Sequence, residues 1–279
     1  MYDDVLIATD GSDPASRATQ QGLSIADDVG ARVHALSVAD VPAIARDSTR
    51  EQVRADCREF VDAVADEATA RDVSVTTAVR DGRPHHEILA VADEHDVDLL
   101  ILGTHGRTGV RRWLLGNVAM GVVRGARRPV LTVGPRAVDV PRTVDRLLVA
   151  TNGRPGAAAA VGHAIELAAA FDATLHALSV VDDADTSLSV VVESFEKQAE
   201  AATDAVASRA AEQDVEVVTA IERGRPHEEI TEYVGDRGID LAVVGTETLS
   251  SMERFAVGSV SQRVAATSPA PVVTVRRTN

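Results

Sequence analysis

Aromatic residues make up only 3% of this 279-residue chain. A packed core remains feasible because 45% of the residues are hydrophobic, but Ala, Val, Leu and Ile must build it. The single cysteine, Cys57, excludes an intrachain disulfide and any site that needs several thiolates from one chain. Cys57 falls in a helical pattern, where packing or surface exposure explains a lone thiol better than chemistry does. No apolar run approaches the roughly 18 residues that suggest a membrane span. The opening Met-Tyr-Asp-Asp has neither a basic segment nor an apolar signal core. These absences predict a cytoplasmic protein with no membrane partner. Lysine is almost missing too: of 28 basic residues only Lys197 is lysine, and the net charge is −15. An acidic surface opposes a polyphosphate backbone, so no nucleic-acid partner is expected.

Against that acidity one window stands apart. From Leu99 to Val138 there is no Asp or Glu, while arginine occurs at 107, 111, 112, 124, 127, 128 and 136. The window opens on Asp98-Leu-Leu-Ile-Leu, an apolar run that reads as a buried parallel strand. Glycines at 103, 106 and 116 then let backbone approach a ligand, and a helical pattern starts after Gly116. A strand, a glycine-bearing loop and a helix N-terminus together form an anion site, because unpaired N–H groups and the helix dipole converge there. This pattern predicts a phosphate site.

The chain also repeats itself at an offset of 142 residues. VLIATDGS at 5–12 returns as LLVATNGR at 147–154, and HALSV at 34–38 returns unchanged at 176–180. RDGRPHHEI, DLLILGT and PVLTV, starting at 80, 98 and 129, return as ERGRPHEEI, DLAVVGT and PVVTV at 222, 240 and 271. An offset that never changes indicates duplication without insertion. We therefore expect two domains, residues 1–138 and 143–279, joined near AVDVPRT with no Gly/Ser linker, and hence packed together rather than loosely tethered.

Periodicity alternates within each half. In the first, strands read at about 4–9, 33–38, 73–79, 98–103 and 129–133, with helices at about 14–29, 49–71, 84–95 and 116–126. Pro14 and Pro84 suit first-turn positions, with Asp13 as the N-cap of the first helix. Strands and helices in alternation predict an α/β fold, two tandem doubly wound five-stranded parallel sheets of Rossmann-like type. Ligands bind such sheets beyond the carboxyl ends of the strands, where strand order reverses. Thr9-Asp10-Gly11 follows the first strand and Gly103 the fourth. If those strands are neighbours, both loops share one crevice; the sequence leaves that order open.

These residues resemble the universal stress protein family, whose nucleotide-binding members carry G-x2-G-x9-G-(S/T) after the fourth strand. Gly103, Gly106 and Gly116 match that spacing, but Asn117 stands where Ser or Thr is expected. The resemblance covers both halves and implies a tandem member that binds ATP in a stress-response or regulatory role. It places Ala8, Thr9 and Asp10 at the first strand's end and Val38 beside the adenine. It sets Gly103, His105, Gly106, Arg107, Gly116, Asn117 and Val118 around the phosphates. Asn117 can still cap the helix, and its amide can donate to a phosphate oxygen. Arg107 is placed for charge-assisted bonds. Asp10 would repel a triphosphate unless Mg²⁺ or Mn²⁺ bridged them, so Asp10 is also the expected metal contact. The composition is similar to that of haloarchaeal cytoplasmic proteins, in which dense carboxylates keep the surface solvated. An acidic protein from a GC-rich genome would show the same arginine bias.

The second half departs from the motif. Asn152 replaces Asp10, Thr248 replaces Gly106, Leu249 replaces Arg107, and Glu247 and Glu253 replace His105 and Arg111. Gly245, Gly258 and Ser259 keep the rest. Carboxylates beside phosphates reduce affinity, so one competent site and one degenerate partner are expected. The mid-strand His34 and His176 read as hydrogen-bonded structural residues, and His85, His86 and His227 as helix-terminal packing. The stretches 41–48 and 183–189 read as loops that could cover the site, and Trp113 could face either the nucleotide or the other half. Two alternatives stay open: a protein-interaction module that binds no nucleotide, and a slow ATPase or nucleotidyl- or phosphoryl-transfer enzyme. Against the enzyme, there is no Walker A sequence and no nucleophile–base pair stands out. In the family the last strands pair two domains, so the resemblance implies that PVLTV and PVVTV join the halves as an intramolecular pseudo-dimer, and it leaves a further homodimer of tandem chains open.

Overall fold

A computed structural model describes residues 1–42, 44, 46–106, 115–137, 143–182, 189–246 and 260–276. The chain divides into two compact units, Met1–Arg142 and Thr143–Asn279. The first runs β1 (Asp4–Ala8), α1 (Asp13–Val29), β2 (Arg32–Ala39), α2 (Asp47–Thr69), β3 (Val75–Asp81), α3 (Pro84–Glu94), β4 (Leu99–Gly103), α4 (Asn117–Gly125) and β5 (Val130–Val133). The second repeats this as β6 (Arg146–Ala150), α5 (Pro155–Phe171), β7 (Thr174–Val181), α6 (Ser189–Ala211), β8 (Val217–Arg223), α7 (Pro226–Asp236), β9 (Leu241–Thr246), α8 (Val260–Thr267) and β10 (Val272–Arg276).

Strand order in the first unit is β3-β2-β1-β4-β5, all parallel. The second unit has the matching order β8-β7-β6-β9-β10. β1 therefore lies beside β4, and order reverses between them. Right-handed crossovers then put α1 and α2 on one face and α3 and α4 on the other. The central strands are apolar throughout because both faces are covered: Val5, Leu6, Ile7, Leu99, Leu100 and Ile101 are all buried. Cys57 is buried in α2 as a packing residue.

Two helix starts differ from the expected ones. Ser12, not Asp13, caps α1, and its Oγ accepts the Ala15 N–H at 3.4 Å. Pro14 fixes the first turn, and the cap falls one residue earlier because Ser12 has the extended backbone the position needs. At α4 the N-cap is Gly116, and Asn117 is already helical. The Gly116 carbonyl accepts Met120 N–H at 2.9 Å, and no side chain of the described residues caps this end.

The histidines behave structurally. His34 Nε2 lies 2.7 Å from Asp4 Oδ1 and its Nδ1 3.0 Å from Thr76 Oγ1. His176 Nδ1 lies 3.0 Å from the Tyr233 hydroxyl. His85 packs on α4, where a Cβ on Gly121 would come within 2.7 Å of its ring. Burial pushes its pKa down, as do the charges of His86 and Arg83.

Candidate functional site

Beyond Ala8, the end of β1, Thr9 donates its N–H to the Leu36 carbonyl at 2.9 Å and is buried. Asp10 follows, half-buried, and Gly11 turns the chain at φ +73°. Ser12 returns both its N–H and its hydroxyl to Asp10 Oδ1, at 3.1 and 2.6 Å. One carboxylate oxygen is thus held by the turn, and the other points at the neighbouring loop.

That loop leaves β4. Gly103 brings β4 onto the start of α1, where an added Cβ would meet Ala15 N and Pro14 C at 2.8 Å. Thr104 N–H donates to the Val133 carbonyl at 3.0 Å, and the Thr104 carbonyl accepts Gly116 N–H at 2.8 Å. The second bond ties the end of β4 to the helix start. His105 is half-buried; its Nδ1 lies 2.9 Å from Thr104 Oγ1, and its carbonyl oxygen 3.4 Å from Ser12 Oγ. Gly106 sits against Asp10, since a Cβ there would lie 2.5 Å from Oδ2.

α4 completes the arrangement. Asn117 is exposed and Val118 half-buried. Helix geometry gives the first-turn N–H groups of Asn117, Val118 and Ala119 no intrahelical acceptor, so they carry the positive end of the helix dipole. The structure thus brings together Thr9, Asp10, Gly103, His105, Gly106, Gly116 and Asn117. Val38 lies on the far side of β1, half-buried near the end of β2. Arg107, Arg111, Arg112 and Trp113 lie outside the described residues. Among the described residues, no group of three His, Cys, Asp or Glu could hold a metal ion by itself. None of their helices is long and apolar enough to cross a membrane.

Two contributors escape sequence reasoning. Ser12 joins the β1 turn to the β4 loop, and its signal was present in ATDGS, where the second half has Arg154. Phe60 of α2 has no local signal at all. Its ring lies against Gly11, so that a Cβ there would be 2.4 Å from Cε1.

The second unit keeps the turn without the acid. Gly153 has φ +69°, Thr151 N–H donates to the Leu178 carbonyl at 2.9 Å, and Asn152 Oδ1 accepts Arg154 N–H at 3.1 Å. The substitutions expected to weaken its loop (Glu247, Thr248, Leu249 and Glu253) lie outside the described residues, as do Gly258 and Ser259.

Comparison with known proteins bears on this geometry. The sequence profile of the Universal stress protein family matches residues 1–134 and again 143–276. A universal stress protein of Methanocaldococcus jannaschii is 34% identical over 140 residues, 48% of this chain and 82% of that protein. Universal stress protein YxiE of Bacillus subtilis is 28% identical over 147 residues, 48% of this chain and 99% of its own length. Each of these relatives thus corresponds to about half of the chain. The crystal structure of a universal stress protein from Archaeoglobus fulgidus superposes with a TM-score of 0.75 at 23% identity, covering 99% of this chain and 97% of that one. That likeness concerns the fold of both halves.

Proposed function

Because the chain belongs to the universal stress protein family in both of its halves, we propose that its first unit binds ATP or a related nucleotide and acts in a stress-response or regulatory role. The observation that carries this reading is the approach of Asp10 Oδ2 to Gly106, with room there for no side chain. A carboxylate set beside a glycine loop and a helix N-terminus suits a metal–phosphate ligand better than a bare anion, which it would repel. Mg²⁺ or Mn²⁺ would be shared between Asp10 and phosphate oxygens, since no other carboxylate of the described residues completes a cage. The phosphates would take the N–H groups at the start of α4, and Arg107 would add charge-assisted bonds. Asn117, exposed at the first helical position, can donate its amide where a hydroxyl is usual.

The second unit is proposed as a weaker or silent partner. Asn152 cannot hold a cation as Asp10 can, and Arg154 takes the place of Ser12.

Calorimetry of ATP with Mg²⁺ at high salt tests the proposal, on the wild type and on Gly106→Asp. The expected result is saturable binding near one site per chain, weakened at least about a hundredfold by a second carboxylate beside Asp10. Absence of binding to folded, nucleotide-free wild type would favour the protein-interaction reading, with the glycines serving as scaffold. Multiple turnover with a defined acceptor would favour a transferase.

A further inference from the structure

Helix α2 has 23 residues and the adjacent strand β2 has 8. At ordinary rises these span about 34 Å and about 26 Å, so the helix overtops the sheet. Its packing on β2 and β3, and the ion pair from Arg54 to Asp81 at the end of β3, place the surplus at the carboxyl edge. α2 therefore forms a wall on the β2 side of the crevice, opposite the glycine loop of β4.

Phe60, six residues further along α2 than Arg54, is turned towards the β1 loop. Three of its ring atoms would lie 2.4–2.8 Å from a Cβ on Gly11, so only glycine admits the ring there. Gly11 separates Asp10 from Ser12, and the ring consequently rests on the turn that presents the carboxylate. Phe60 also keeps part of its surface accessible, in a chain with only four phenylalanines. In the second unit the corresponding residue is Ala202, 3.3 Å from the Cβ position of Gly153. The aromatic wall is therefore absent from the unit that also lacks the acid.

We propose that Phe60 is the contact for the nucleoside end of the ligand, the flat base or ribose resting on its ring while the phosphates occupy the β4 loop. The inference rests on the nucleotide reading of the first unit. A ligand anchored by its phosphates at α4 and crossing Asp10 towards β2 meets this ring next, and every base offers a face to an aromatic. The role adds affinity for the nucleoside and none for phosphate.

Binding of Mg-ATP and of inorganic tripolyphosphate is compared on full-length wild type, Phe60→Ala and Phe60→Trp. Phe60→Ala is expected to weaken ATP binding roughly tenfold, as loss of one base–aromatic stack does, and to leave tripolyphosphate unchanged. Phe60→Trp retains ATP affinity, and in a Trp113→Phe background its indole emission responds to ATP but not to tripolyphosphate. Equal losses for both ligands would overturn the proposal, because the ring would then only prop the Asp10 turn. ATP binding that Phe60→Ala leaves intact would overturn it too, with the nucleotide reading standing. A wild type that binds neither ligand removes the nucleotide reading itself. Retained tripolyphosphate binding shows that Phe60→Ala is folded.

Discussion

At the amino edge of their sheets the two units are built alike, and at the carboxyl edge they diverge. Asp98 Oδ2 accepts the N–H groups of Asp3 and Asp4 at 2.8 and 3.1 Å, and Asp240 Oδ2 accepts those of Asp145 and Arg146 at 3.0 and 2.8 Å. Each pair of bonds ties the start of the central strand to its neighbour, a task that any ligand leaves unchanged. At the other edge Asp10, Ser12 and Phe60 correspond to Asn152, Arg154 and Ala202. The contrast separates two kinds of residue. The Asp98 and Asp240 ties that close the fold are kept through the duplication, as are the turn residues Thr9 and Gly11 (Thr151 and Gly153), whereas the side chains Asp10, Ser12 and Phe60 are replaced.

The largest expected effect tests whether the shared scaffold is truly shared. Gly103 and Gly245 stand at equivalent ends of β4 and β9. A Cβ on Gly103 would strike Ala15 N at 2.8 Å, and one on Gly245 would strike Gly156 O at 2.4 Å. Both obstacles are helix backbone, which cannot rotate aside, so Gly103→Ala and Gly245→Ala each cost about 3 kcal/mol. Chemical denaturation measures this. Tolerance at one position with damage at the other would break the equivalence of the two scaffolds.

Much of that scaffold was legible before any coordinates. The period changes from two to 3.6 and back, Pro14 and Pro84 mark first turns, and an unvarying offset lets each half check the other. Strands and helices accordingly fall within a few residues of their expected places. What stayed hidden depends on packing. The adjacency of β1 and β4, which sets Asp10 against Gly106, is a property of sheet order that no local pattern encodes. Phe60 reaches Gly11 through the packing of α2 beside the β1 turn, a contact between residues 49 apart in sequence. The caps fall one residue before the expected ones because Ser12-Asp13 and Gly116-Asn117 each offer two adequate capping residues side by side.

A smaller effect sharpens the comparison through α1 and α5. Gln21 of α1 is buried at 1% exposure, and neither end of its amide has a hydrogen-bond partner among the described residues. The equivalent residue of α5 is His163, whose pKa burial pushes down to about 4. An unfolded imidazole takes up its proton near 6.5, so between 6.5 and 4 the unfolded state holds more protons than the folded one. Stability therefore falls as pH falls through that window, by about 2 kcal/mol between pH 7 and 5. His163→Gln, which copies the first unit, should flatten the fall by that amount in denaturation curves at the two pH values. An unchanged slope would show that the folded imidazole is not held neutral.

The smallest effect concerns a contact whose polarity the repeat reverses. In the first unit Arg54 of α2 pairs with Asp81 at the end of β3; in the second, Glu196 of α6 pairs with Arg223 at the end of β8. The Arg54 hydrogen bond holds the Asp81 carboxyl below the usual carboxylate range, helped by the charges of Arg54 and Arg50. Arg54→Glu alone sets two carboxylates face to face and should lower the melting temperature slightly, less at high salt, because both side chains are about half exposed at 49% and 50%. Adding Asp81→Arg reproduces the polarity of the second unit. If the helix-to-strand pairing is what the repeat preserves, the double variant recovers most of the loss. Recovery should remain incomplete while Arg50 faces the new cation, and Arg50→Val, matching Val192, should complete it. A double variant no better than Arg54→Glu would mean that the sign of the charge matters in each unit, and that the reversal was adjusted to its surroundings.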